Sequence, residues 1–120
     1  MSVEMAEPIV VVNTEGLARD VWLNYRRKGI GGSDVASIFG CSPFRTLRDL
    51  YYDKLGLRVE EENPDNWVQL AVGNLLENLV GEIFSRKTGL EIMNDKRMYR
   101  SPRHPFMLAD VDFIATLPNG

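Results

Sequence analysis

The sequence has little of what exported and membrane-spanning proteins require. It contains a single cysteine, Cys41, so no intramolecular disulfide can form, which fits a reducing cytosol. No apolar run approaches the roughly 20 residues that span a bilayer. The first residues, MSVEMAEP, carry acids where a signal peptide needs basic residues. These absences predict a cytoplasmic protein with no membrane partner.

The sequence also lacks the positive net charge that nucleic-acid-binding domains usually carry. Its formal net charge is −3, which argues against such a partner. The basic residues are nevertheless clustered, as in Arg26-Arg27-Lys28 and in Lys96-Arg97. A length of 120 residues, with 44% hydrophobic and 26% charged residues, fits a single globular domain over 1–120.

The order of the predicted elements places most helices before the last strands. A β-branched run at 9–12 predicts a short strand, and Asn13 or Thr14 is expected to cap a helix over 15–27. Further helices are expected over 34–39, 46–55 and 65–88, an acidic loop over 57–64, and strands over 91–99 and 107–117. The fold class predicted is α/β (α+β-like), with helices packed on a sheet.

The stretch GIGGSD, residues 29–34, is the first candidate site. Three glycines before the helix cap Ser33 would let backbone amides converge on an anion, with Arg27 or Lys28 supplying charge. The alternative is a glycine-rich turn with an ordinary cap. Residues 34–50 offer a different hypothesis, a helix-turn-helix-like unit that binds DNA without catalysis.

Three carboxylates form the second candidate site. Glu77 lies at the border of the apolar face of the long helix, where an unpaired carboxylate is costly to desolvate. Asp110 and Asp112 alternate along the last strand and share one face, roughly 7 Å apart by strand rise. A hard divalent cation would compensate such charges, whereas the alternative is ordinary surface acids.

Three stretches resemble the YqaJ-like viral recombinases, phage-type nucleases related to the lambda exonuclease. They occur in the family's order and are YRRKGIGGSDVASIFGCSPFRTLRDLYYDKLG, VGNLLENLVGEIFSRKTGLEI and HPFMLADVDFI. The resemblance implies a restriction-endonuclease-like core of the PD-(D/E)xK type, with N-terminal helices packed on an incomplete mixed sheet. It also implies a metal-dependent DNA nuclease that uses Mg²⁺ or Mn²⁺ and acts on double-stranded DNA in recombination.

The resemblance assigns roles to individual residues. Glu77 matches the metal-binding acid of the long helix, and Asp112 matches the strand aspartate that bridges metal and scissile phosphate. Arg27, Gly32 and Ser33 match the region that holds a terminal phosphate. Asp110 departs from the pattern, since relatives often carry a small polar residue there, and would add a charge behind the metal ligands or nothing.

The stretch TLPNG at residues 116–120 reads as a hairpin turn, because Asn-Gly tolerates positive φ. In the family the next strand carries a Glu-x-Lys motif that completes the metal site. The expectation is therefore an N-terminal piece of a longer nuclease, itself inactive. By resemblance the parent would form a homo-oligomer, a trimer in relatives, and work with a single-strand annealing protein.

Overall fold

Residues 6–57 and 66–120, which the computed structural model describes, form a mixture of helices with a small sheet. The strands are β1 (Ile9–Asn13), β2 (Glu91–Arg100) and β3 (Leu108–Thr116). The helices are α1 (Arg19–Arg26), α2 (Val35–Ile38), α3 (Leu47–Lys54) and α4 (Asn66–Thr88), and a 3-10 turn (Gly32–Asp34) precedes α2. The predicted α/β class is confirmed. The predicted acidic loop lies outside the described residues except for Leu57.

The sheet has the strand order β1-β2-β3. β1 runs antiparallel to β2, with Ile9 opposite Arg100 and Asn13 opposite Arg97. A shift of register between Val10 and Val12 marks a β-bulge in β1. At the end of β3, the N–H of Gly120 donates to the carbonyl of Leu117 over 3.0 Å, so the predicted turn forms.

The glycine-rich segment is joined to the start of β3. Ile30 forms a parallel bridge with Met107, in which the N–H of Leu108 donates to the Ile30 carbonyl over 2.9 Å. Gly29 allows this approach, since a Cβ there would lie 2.7 Å from the carbonyl oxygen of Phe106 and 2.7 Å from Cγ of Leu108. The sequence predicted the glycine-rich turn but not its attachment to a strand.

The first residues of α1 and α3 depend on how each helix is capped. α1 begins four residues later than predicted: Ala18 is its N-cap and makes no side-chain capping bond. The prediction of Asn13 as cap was wrong because its Oδ1 accepts from the N–H of Glu15 in a turn before the helix, and Gly16 has φ of 69°. α3 begins as predicted, because Thr46 and Asp49 form a reciprocal capping box.

The chain divides into two compact units. The first contains Met1–Val59 and Lys96–Val111, and the second contains Glu60–Asp95 and Asp112–Gly120. Among the described residues of the first unit, the buried ones are Leu50, Met98, Asp34 and Ser37.

In the second unit α4 approaches the sheet at one glycine. A Cβ on Gly81 would lie 2.9 Å from Cζ of Phe113 and 3.0 Å from Cδ1 of Ile92. The other apolar residues of α4 remain accessible, and Leu75 is 79% exposed. No helix in the described part of the chain is long and apolar enough to cross a membrane.

The helix-turn-helix hypothesis is not supported by the geometry of α2 and α3. The two helices contact each other, as expected for a packed pair. However, α2 is a single turn of four residues, and the whole segment from Phe39 to Thr46 separates it from α3. A helix-turn-helix has a turn of about three to four residues between two longer helices.

Candidate functional site

The first unit contains a cleft of about 340 Å³ beside the glycine-rich segment. It is called the loop cleft here, and it is lined by Trp22, Arg26, Gly31, Gly32, Ser33, Met98, Leu108 and Asp110. The lining combines a guanidinium, a hydroxyl, glycine backbone and one carboxylate. Two of the residues predicted to hold a phosphate, Gly32 and Ser33, therefore lie in one cleft.

Arg26 supplies the positive charge of the loop cleft. It is the last residue of α1, and its Nη2 donates a 2.6 Å hydrogen bond to Oγ of Ser33. Its guanidinium carbon lies 4.9 Å from the ring centre of Trp22, within the range of a cation–π contact. The hydrogen bond and the ring contact together fix the guanidinium against the cleft wall.

Arg27, which the sequence favoured for this role, has other partners. Its Nη1 donates to Oδ1 of Asn24 over 3.1 Å, and its Nε lies 3.8 Å from Oδ1 of Asp53. Successive residues of a helix point about 100° apart, so only one of two adjacent arginines can face the cleft. The structure brings Arg26, rather than Arg27, to Ser33.

Asp34 is a buried carboxylate behind the cleft, with 1% of its side chain exposed. Oδ1 accepts from Nη2 of Arg45 over 2.8 Å. Oδ2 accepts from the N–H of Gly31 over 2.8 Å and lies 2.9 Å from Nζ of Lys54. Burial raises the pKa of Asp34, but the Gly31 N–H, Lys54 and Arg45 outweigh it, so the pKa lies below its usual value.

These contacts change the physical basis of the predicted anion site. The Gly31 N–H turns inward to Asp34 and does not point at the cleft. The helix after the glycines, α2, has only four residues and supports no substantial dipole. Any attraction for an anion must therefore come mainly from the Arg26 guanidinium and the Ser33 hydroxyl.

Asp110 is the carboxylate that lines the loop cleft. Its Oδ2 accepts a 2.6 Å hydrogen bond from Nε1 of Trp22. The sequence expected Asp110 to add at most a charge behind a metal site. The structure instead shows it bound to the indole of α1.

Glu77 and Asp112, the two predicted metal ligands, belong to the second unit. Glu77 is half-buried on α4, Asp112 is exposed on β3, and each takes part in a polar or electrostatic interaction. Within residues 6–57 and 66–120, no group of three or more His, Cys, Asp or Glu side chains is arranged to hold a metal ion. Each of these side chains by itself offers the carboxylate oxygens that Mg²⁺ binds, and Mg²⁺ commonly takes one or two protein carboxylates together with water and phosphate oxygens.

Sequence reasoning missed Trp22, Arg26 and Asp34 as parts of one site. A helical wheel of α1 contains a usable signal, because Trp22 and Arg26 are four residues apart and so lie on one face. No comparable signal marks Asp34, whose partners Arg45 and Lys54 come from later segments.

The family model described as YqaJ-like viral recombinase domain matches residues 21–119. A curated protein of Bacillus subtilis (strain 168), "Uncharacterized protein YqaJ", is 37% identical over 103 residues, which cover 86% of this chain and 32% of that protein. The chain thus spans about a third of the length of this relative. No solved structure matches the chain.

Proposed function

Because the chain belongs to the YqaJ-like viral recombinase domain family, we propose that it is part of a metal-dependent DNA nuclease used in recombination, whose loop cleft binds the 5′-phosphate end of duplex DNA. The observation that carries the phosphate site is the Arg26–Ser33 pair in the loop cleft. A guanidinium beside a hydroxyl offers charge-assisted and neutral hydrogen bonds to phosphate oxygens. Gly32 leaves the approach open, since no atom lies within 4 Å of a Cβ built there.

Glu77 and Asp112 are the proposed metal-binding acids. A bound Mg²⁺ or Mn²⁺ would polarise the phosphodiester and lower the pKa of a bound water. In this proposal the two carboxylates position the ion, while Arg26 and Ser33 orient the DNA end. The catalytic pair expected in the family's Glu-x-Lys strand is not among residues 1–120.

The phosphate site is tested by the affinity of the chain for short duplexes that carry either a 5′-phosphate or a 5′-hydroxyl. Arg26→Gln and Ser33→Ala should each reduce the preference for the phosphorylated duplex, Arg26→Gln by about tenfold, as expected for a lost charge-assisted bond. Arg27→Gln is the matched control, because Arg27 contacts Asp53 and Asn24. Loss of the preference in Arg27→Gln but not in Arg26→Gln would return the role to Arg27.

Nuclease activity is tested separately in the chain and in a full-length family member. The 120-residue chain should not digest linear duplex DNA with Mg²⁺, because loss of a single stabilising group already slows such reactions by orders of magnitude. Robust digestion by the purified chain would contradict this prediction. Binding without any metal-dependent cleavage in the full-length protein would favour the alternative, a non-catalytic DNA-binding module.

Self-association is also part of the proposal. Among the described strands β3 lies at the end of the order β1-β2-β3, and its start is bridged to Ile30. The remainder of such an edge offers backbone groups for pairing. Light scattering should therefore detect dimers or larger species of the chain. A chain that stays monomeric at all accessible concentrations would contradict self-association. Binding of a single-strand annealing protein is tested separately, by a pull-down.

A further inference from the structure

Arg26 also belongs to a cluster of charges behind the loop cleft, whose other members the proposed phosphate site does not use directly. Within the described residues it contains the cations of Arg26, Arg27, Arg45 and Lys54 and the carboxylates of Asp34 and Asp53. The cluster has more positive than negative groups. Each carboxylate pairs with some of these cations. The cation that is left without a close carboxylate is the one available to a ligand.

Asp34 has two close cationic partners and one distant one. Arg45 and Lys54 contact its two oxygens at 2.8 and 2.9 Å. Arg26 is 4.0 Å from Oδ1, at the outer limit of an ion pair. Because a buried carboxylate must be compensated, Asp34 would take Arg26 as a partner if either closer cation were removed.

Arg26 is in turn held by neutral groups. Its Nη2 donates to the Ser33 hydroxyl, and its backbone carbonyl accepts a 2.9 Å hydrogen bond from Nζ of Lys54. Its side chain is 28% exposed, and its ion pair with Asp34 is long at 4.0 Å, so among the described residues no close carboxylate neutralises its charge. The Arg26 guanidinium can therefore replace bound water with an anion while it keeps most of its hydrogen bonds within the protein.

We propose that Arg45 and Lys54 are positioning residues for the phosphate site, which occupy Asp34 and thereby keep the Arg26 guanidinium available to an incoming phosphate. The inference rests on the proposed function, because it assumes that the loop cleft binds phosphate. Arg45 and Lys54 lie outside the loop cleft, yet in this proposal they determine whether the positive charge of Arg26 is available within it. Lys54 has a second effect, since it also anchors the backbone at the end of α1.

The experiment measures binding of inorganic phosphate to the chain at constant ionic strength. The indole N–H resonance of Trp22 is the probe, because Trp22 lines the cleft, and Trp67→Phe removes the only other tryptophan. In this background Arg45→Gln should weaken phosphate binding about tenfold. The double variant Asp34→Asn/Arg45→Gln should recover most of the affinity, since an amide no longer competes for Arg26.

Two controls separate this mechanism from simpler effects. Arg27→Gln removes the same charge from the cluster, but Arg27 does not contact Asp34. If Arg45→Gln acts only by lowering the positive charge of the cluster, Arg27→Gln should weaken phosphate binding equally. Equal weakening in the two variants would overturn the inference. Thermal melting of every variant shows whether it folds. If Arg45→Gln does not fold, Lys54→Gln and its double variant with Asp34→Asn replace it.

Failure of the positioning role and failure of the phosphate site itself give different results. No Trp22 shift with phosphate in the unsubstituted chain would refute the phosphate site itself. Phosphate binding that depends on Arg26 but is unchanged in Arg45→Gln, or is not recovered in the double variant, would refute the positioning role alone.

Discussion

Trp22 and Asp110, 88 residues apart in sequence, are joined by a 2.6 Å hydrogen bond from the indole Nε1 to the carboxylate Oδ2. This bond connects α1 to β3, and both residues line the loop cleft. Because its acceptor is charged, it is stronger than a bond between neutral groups, although its exposure to water reduces the difference.

Trp22→Phe should therefore lower the free energy of unfolding by about 1–2 kcal/mol, as expected for a lost bond to a charged acceptor. Trp67→Phe is the matched control, since that indole is 68% exposed, and it should change the stability by less than about 0.5 kcal/mol. Urea denaturation followed by circular dichroism measures both. Equal effects of the two substitutions would mean that the Trp22–Asp110 bond contributes nothing measurable.

The buried Asp34 predicts a particular dependence of stability on pH. Its pKa is lower in the folded chain than in the unfolded chain, so the unfolded chain takes up a proton first as the pH falls. The stability that the ionised carboxylate provides is complete above the ordinary pKa of about 3.9 and is lost as the pH falls through the lower folded value.

Asp34→Asn should remove this acid-dependent loss and lower the stability at neutral pH on the order of 3 kcal/mol, because three nearby cations lose a buried partner. Denaturation curves between acidic and neutral pH, compared with those of the unsubstituted chain, test both effects. Parallel pH profiles for the two proteins would contradict the assignment to Asp34.

Two glycines of α4 should respond in opposite ways to alanine. Gly73→Ala should raise the stability by up to about 1 kcal/mol, because the added Cβ would meet no atom within 4 Å beyond its chain neighbours and the adjacent helix backbone, and alanine favours the helix. Gly81→Ala should be less favourable than Gly73→Ala by about 1–2 kcal/mol, since Phe113 and Ile92 must shift. Similar gains at both positions would show that α4 is not held close to the sheet at Gly81.

If Glu77 and Asp112 bind the metal, substitution of either residue should weaken Mn²⁺ binding selectively. Glu77→Gln and Asp112→Asn should each weaken binding of Mn²⁺ by about tenfold or more, because each removes one anionic oxygen ligand. Glu82→Gln serves as the control on the same helix, since Glu82 is exposed and forms an ion pair with Arg86 at 2.7 Å. Isothermal titration calorimetry would contradict the assignment if all three variants bound Mn²⁺ alike.

The sequence predicted those features that depend on neighbouring residues. The helix predicted over 46–55 and the turn predicted at the end of β3 both formed, because each depends on groups within a few residues of one another, such as the Thr46–Asp49 capping box. Choosing between Arg26 and Arg27 required the direction of α1, which is set by distant contacts. Asp34 was missed for the same reason, as its partners come from three separate segments.

The bridge between Ile30 and Met107 has a consequence for how the protein folds. It closes a loop that contains most of the chain, and such closures cost conformational entropy before the contacts they allow can form. α1 can form early from local interactions, whereas the loop cleft requires Leu108 and Asp110 from near the other end. During synthesis the helix would thus emerge long before its binding cleft, and the cleft would be completed only when β3 leaves the ribosome.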